Sequence, residues 1–148
     1  DRIERDGDEV IITDYKTGNV TSSELSLPAD WDEKVTSGKA SKALQLLVYA
    51  AMALETLDVN GNKKETDGQP LLYVRAGVRS GKNERAGLLE LKIDKQSGVD
   101  TRQAKELLRW ISQSLDTLHD DTPSVEHKAE AAYCSYCTVL DPLPQFSF

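Results

Sequence analysis

The chain has 148 residues, 39% apolar and 29% charged, which is the size and make-up of one domain with its own core. No apolar run approaches the roughly 20 residues of a membrane-spanning helix, and no signal peptide opens the chain. The net charge of −7 counts against a stand-alone polyanion binder, which usually carries a basic face.

Residues 1–16 read as a β-hairpin, with Ile3 on one arm, Val10, Ile11 and Ile12 on the other, and a turn at Asp6-Gly7-Asp8. The chain thus opens on Asp1 inside an expected strand and reads as a fragment of a longer polypeptide. Residues 17–39 are polar and read as loop, with a short element near Trp31. A helix is expected over 40–57, where Leu44, Leu47, Val48, Ala51 and Leu54 recur at helical spacing without Gly or Pro. Asn60-Gly61-Asn62 stops it. A strand pair follows, Leu71 to Ala76 and Leu88 to Ile93, with a polar loop from Arg79 to Arg85. A second helix spans 101–118, its stripe formed by Ala104, Leu107, Leu108, Ile111, Leu115 and Leu118. Asp100 is its expected N-cap, with Gln103 three residues on as in a capping box. The core is therefore expected over about 1–118, followed by an irregular tail over 119–148. The order hairpin, helix, strand pair, helix predicts an α/β domain with a mixed central sheet flanked by helices.

The segment Asp14-Tyr15-Lys16 carries the chemistry. Residues two apart on a strand share a face, so Asp14 and Lys16 point together and Tyr15 points away. A two-residue loop at Gly7-Asp8 sets Asp1 directly across from Asp14; one at Asp6-Gly7 sets it one diagonal away on the same face. An odd loop or a bulge breaks the arrangement. Like charges across a strand pair repel, by roughly 0.2–1 kcal/mol at exposed sites. A divalent cation between them reverses the sign, and Mg²⁺ needs only one or two carboxylates because it keeps several waters. Such an ion polarises a phosphoryl oxygen, and an adjacent lysine stabilises the charge that develops. Taken alone, an Asp-x-Lys is more often a pair of solvated surface charges.

Asp1-Arg2-Ile3 followed by Val10-Ile11-Ile12-Thr13-Asp14-Tyr15-Lys16-Thr17-Gly18 resembles the signature of the RecB-like nucleases of the PD-(D/E)XK class. The helical segment Ala43-Leu44-Gln45-Leu46-Leu47-Val48-Tyr49-Ala50 is similar to that family's "QLxxYA" helix, and Gln45 and Tyr49 share a helical face. The resemblance implies a restriction-endonuclease-like core, N-terminally truncated. It implies Asp1 and Asp14 as ligands of Mg²⁺ or Mn²⁺, the Tyr15 carbonyl completing the shell, and Lys16 as the catalytic lysine. Gln45 and Tyr49 stand at the edge of the implied site, positioning the lysine or the DNA. A third ligand from an upstream helix, usual in that family, is absent from this chain. The implied partners are DNA and a helicase domain or subunit, in DNA repair and recombination.

Cys134 and Cys137 form a single Cys-x-x-Cys, which is no disulfide framework and fits a reducing, cytoplasmic setting. AddB-type relatives place further cysteines around such a pair to bind an iron–sulfur cluster. Thr138 to Phe148 holds none, so no cluster is expected from this chain alone. His119 and His127 lack the spacing of a zinc motif. Arg75, Arg79, Lys82 and Arg85 are candidates for DNA backbone contacts. Trp110 is expected near the core, while Trp31 either caps the core or packs against parts of the protein outside this chain. The rival to a nuclease is an inactive, nuclease-like module that guides DNA or supports structure.

Overall fold

The computed structural model describes residues 1–6, 9–57, 72–81 and 87–119. Strands β1 (Arg2–Asp6) and β2 (Glu9–Lys16) form an antiparallel hairpin, in which the β-branched run Val10-Ile11-Ile12-Thr13 favours the extended backbone. A 3₁₀ turn (Ser22–Leu25), β3 (Ser26–Leu27) and the short helix α1 (Asp32–Thr36) lead into α2 (Ser41–Thr56). The chain returns as β4 (Tyr73–Ser80), which lies parallel to β2 over seven pairs, Val10↔Val74 to Lys16↔Ser80. Antiparallel strands need only a tight turn, but a parallel return needs a crossover, and α2 lies within it.

Four two-residue strands follow: β5 (Leu89–Glu90), β6 (Lys92–Ile93), β7 (Gln96–Ser97) and β8 (Val99–Asp100). The main sheet runs β1-β2-β4-β5, with β8 also paired to β4, while β3, β6 and β7 make a small second sheet. Between β6 and β7, Asp94 and Lys95 both adopt positive φ, the backbone of a tight hairpin turn of right-handed twist. Gly98, at φ +88°, faces the ring of Tyr73 so closely that an added Cβ would stand about 2 Å from its hydroxyl and no side chain fits. Helix α3 (Thr101–His119) closes the described chain. The result is a mixed sheet with flanking helices, as expected from the sequence.

The core lies between α2 and one face of the central strands. Val10 and Ile12 of β2 and Val74, Ala76 and Val78 of β4 alternate onto that face and are buried with Leu46, Leu47 and Ala50 of α2. Small Ala43, Ala50 and Ala53 on the buried side let the helix sit close to the sheet.

Four expectations need correction. Arg79 and Ser80 belong to β4, not to a loop, because the parallel partner β2 extends that strand beyond Ala76. The second arm, expected as one strand over 88–93, breaks at Leu91, whose amide bonds to the Ala76 carbonyl. The buried arc of α2 is wider than the expected stripe and shifted to one side: Leu47, Ala51 and Leu54 are buried as expected, Ala43, Leu46, Ala50 and Ala53 are buried with them, and Leu44 and Val48 are only partly so. In α3 burial is confined to Ala104 and Leu107, with Trp110 and Ile111 half-buried, while Leu108, Leu115 and Leu118 are exposed. Trp31 is settled as a core residue, buried and edge-on to Trp110 at 5.9 Å between ring centroids.

Candidate active site

The hairpin register decides how the acidic groups meet. Arg2 pairs with Thr13, Ile3 with Ile12, and Asp6 with Glu9. Two residues, Gly7 and Asp8, thus separate the arms, and continuing the register by one pair sets Asp1 across from Asp14. Of the two arrangements open to the sequence, this is the one with the carboxylates directly opposed. Strand alternation sends both toward the α2 side of the sheet, the side of Ile3 and Ile12.

Asp14 is only 2% exposed. Lys16 brings its Nζ within 3.0 Å of Asp14 Oδ2. The same ammonium donates to Gln45 Oε1 at 2.9 Å, and Gln45 Nε2 donates to the Tyr49 hydroxyl at 2.8 Å. Gln45 and Tyr49 lie one turn apart on α2, so a single helical face presents both to the end of β2. Tyr49 and Asp1 in turn line one groove of about 290 Å³ with Ile3, Ile12, Met52 and Ala53. The structure therefore gathers Asp1, Asp14, Lys16, Gln45 and Tyr49 around one stretch of sheet and helix.

Tyr15 projects to the opposite face and is half exposed. Its carbonyl can be placed by alternation. The Lys16 carbonyl accepts from the Gly81 amide on the β4 side, so the Tyr15 carbonyl faces the β1 side, where Asp1 stands across from Asp14.

The donor set fits a hard divalent ion. Asp14 Oδ2 is buried, yet no hydrogen-bond donor among the described residues satisfies it. The lysine touches that oxygen at ion-pair distance but not along a hydrogen-bonding direction, which leaves it an open acceptor. Buried carboxylate oxygens are rarely left so, and a second carboxylate across the strand pair makes the need for positive charge greater. Among the described residues no group of three or more His, Cys, Asp and Glu forms a ligand cluster. Two carboxylates and a carbonyl, with water filling the remaining positions, are a donor set that Mg²⁺ or Mn²⁺ accepts.

Ser80 is a participant that sequence reading missed. It is buried, and its hydroxyl donates to the Gly18 carbonyl, tying the loop after Lys16 to the end of β4. Only the parallel pairing of β2 with β4 reveals it. Arg75, offered above as a DNA contact, is instead held between carboxylates of Glu90 and Glu9, and their hydrogen bonds push its pKa further up. Burial works to raise the Glu90 pKa, but hydrogen bonds from Arg75 and Ser97 outweigh it and leave the carboxyl lowered. His119 is exposed at the end of α3. Lys82, Arg85, His127, Cys134 and Cys137 lie outside the described residues.

The model of the PD-(D/E)XK nuclease superfamily matches residues 1–141. The chain belongs to that superfamily. Membership implies a nuclease domain with DNA as its substrate, and PD-(D/E)XK nucleases generally use Mg²⁺ or Mn²⁺. No curated protein and no solved structure matches the chain. Among the described residues, no helix is long and apolar enough to cross a membrane.

Proposed function

We propose that this PD-(D/E)XK chain is a RecB/AddB-like deoxyribonuclease domain that hydrolyses phosphodiester bonds with Mg²⁺ or Mn²⁺. The observation that carries the reading is the open, buried oxygen of Asp14, joined through Lys16 to Gln45 and Tyr49 and faced by Asp1 across the hairpin. Asp1, Asp14 and the Tyr15 carbonyl hold the ion. When bound, the ion supplies positive charge to the phosphoryl oxygen and raises the acidity of water.

The chain's own groups do the rest. Asp14 keeps the Lys16 ammonium at the site, and Gln45 fixes its direction. Lys16 faces the non-bridging oxygens of the phosphate and stabilises the charge that grows there as water adds to phosphorus and the P–O bond to the leaving strand breaks. Tyr49 holds Gln45 so that its carbonyl, not its amide, is turned to the lysine.

At the level of the whole protein, the reading is an exonuclease of DNA repair and recombination in the cytoplasm, working beside a helicase domain or subunit. A chain of net charge −7 gains from such a partner, which adds positive charge for gripping DNA.

The test is cleavage of linear duplex and single-stranded DNA by the full-length protein, with and without Mg²⁺ or Mn²⁺. Metal-dependent cleavage is expected, with Asp14→Ala and Lys16→Ala each abolishing it. Cleavage that persists in both variants refutes the assignment. A wild-type protein that never cleaves favours the inactive, DNA-guiding module.

A further inference from the structure

The core-facing side of β4 runs Val74, Ala76, Val78 and then Ser80. The first three are buried in the core with α2, and a fourth apolar residue would extend the same packing. A hydroxyl stands there instead, and it is only 4% exposed. Among the described residues, Thr13 and Asp14 are the other buried polar side chains. A hydroxyl taken out of water costs free energy unless it is bonded, so the partner it finds is informative.

Ser80 is the ladder partner of Lys16, and the two side chains leave the sheet on the same face. The Ser80 hydroxyl donates to the Gly18 carbonyl. The next residue, Gly81, donates its amide to the Lys16 carbonyl at 3.2 Å. Consecutive groups at the end of β4 thus hold the carbonyls on either side of Thr17. Among the described residues the β1 ladder reaches β2 only as far as Thr13, whereas β4 pairs with Asp14, Tyr15 and Lys16. The end of β2 therefore takes its support from β4.

That support bears on the lysine. Its ammonium is a point charge on a flexible four-carbon stem, so its place depends on both ends of the side chain. Asp14 and Gln45 hold the ammonium. The bond from Ser80 holds the opposite end, keeping the backbone after Lys16 against the sheet. Placement matters steeply: a shift of about 1 Å at a reacting group can cost roughly a hundredfold in rate.

Resting on the nuclease reading above, we propose that Ser80 is a positioning residue of the reaction. Through the Gly18 carbonyl it sets the backbone from which Lys16 reaches the scissile phosphate. It acts through the lysine and not on the metal ion or the DNA, so its loss should leave both of those bound as before.

The experiment compares wild type, Ser80→Ala and Ser80→Thr as full-length proteins. One assay is metal-dependent cleavage of a single oligonucleotide; the other is acylation of lysines by a soluble amine reagent, mapped by mass spectrometry. Ser80→Ala is expected to lower kcat roughly tenfold, the upper range for one lost neutral hydrogen bond, with KM and Mn²⁺ affinity almost unmoved. Its Lys16 should be acylated several-fold faster than in wild type, while the exposed Lys92 and Lys105 react as before. Ser80→Thr restores the hydroxyl and should recover the wild-type pattern in both assays. Wild-type kcat or wild-type Lys16 labelling in Ser80→Ala overturns the inference. So does faster labelling of every lysine, which marks a general loosening of the fold. If Asp14→Asn stops cleavage while Ser80→Ala cleaves like wild type, the positioning role alone falls. If even wild type cleaves nothing, the catalytic reading falls and labelling decides the rest: selective release of Lys16 in Ser80→Ala upholds the tie, and unchanged labelling removes it.

Discussion

Asp14 sits where a carboxylate is least comfortable: buried, across from a second carboxylate, with one oxygen that accepts no hydrogen bond from the described residues. Lys16 offsets part of that cost, and the lysine is itself held by Gln45. On the proposed reading Gln45 acts through Lys16 as a positioning residue, so its loss should lower kcat and leave KM almost unmoved. A hydrogen bond to a charged group is worth roughly 1.5–3 kcal/mol, so Gln45→Ala is expected to reduce kcat by at least tenfold. Tyr49→Phe removes only the neutral bond behind Gln45 and should cost about fivefold. Steady-state kinetics on one oligonucleotide distinguishes the two, and a KM effect in place of a kcat effect would assign both residues to DNA binding. At this scale much was legible in advance. Parity along a strand placed Asp14 and Lys16 together and Tyr15 apart, and a hairpin loop of even length brought Asp1 to the same surface. The choice between the two registers was not legible, because Asp6-Gly7 and Gly7-Asp8 are equally good turn pairs.

Local signals at element boundaries also read true where a side chain bonds to its own neighbourhood. Asp100 Oδ1 accepts from the Gln103 backbone amide at 2.8 Å, and the Asp100 backbone amide donates to Gln103 Oε1 at 2.9 Å, the capping box expected at the start of α3. Asp100→Ala should therefore cost about 1 kcal/mol of stability, read as a lower thermal midpoint or denaturant midpoint. The turn before α2 carries a second device. Glu24 is held down to a pKa of about 2 by a hydrogen bond from Lys42 and by bonds from the backbone and side chain of Thr21. A carboxyl lowered on folding from an ordinary 4.5 contributes stability above about pH 4.5 and loses it as pH falls toward 2. The midpoint difference between wild type and Glu24→Gln should hold above pH 4.5 and close toward pH 2; a difference that grows in acid contradicts the pairing. Other elements were illegible locally. Arg79 and Ser80 look like loop residues, and only pairing with β2 makes them strand. The apolar stripe of α3 predicts burial out to Leu118, but helix periodicity does not say how far the surface it packs on extends, and Leu108, Leu115 and Leu118 are exposed.

For the molecule as a whole, the parallel β2–β4 pair around α2 sets the site. It brings Gln45 and Tyr49 over the end of β2 and brings Ser80 against Gly18. None of these contacts can be read from local sequence, since each joins residues at least 29 positions apart. The Trp31–Trp110 contact, which couples the segment before α2 to α3, is of the same kind. What the sequence does state is the sheet-and-helix alternation and the acidic balance, and both agree with a domain whose local positive charge comes from an ion. The central claim is that Asp1 and Asp14 oppose each other in order to share that ion. It is tested most directly by titrating Mn²⁺ into the full-length chain and following the free ion by electron paramagnetic resonance. Wild type should bind Mn²⁺ saturably, and Asp14→Asn and Asp1→Asn should each lose that binding while keeping the wild-type circular dichroism spectrum. Binding that is equal in wild type and both variants, or absent from wild type, contradicts the account.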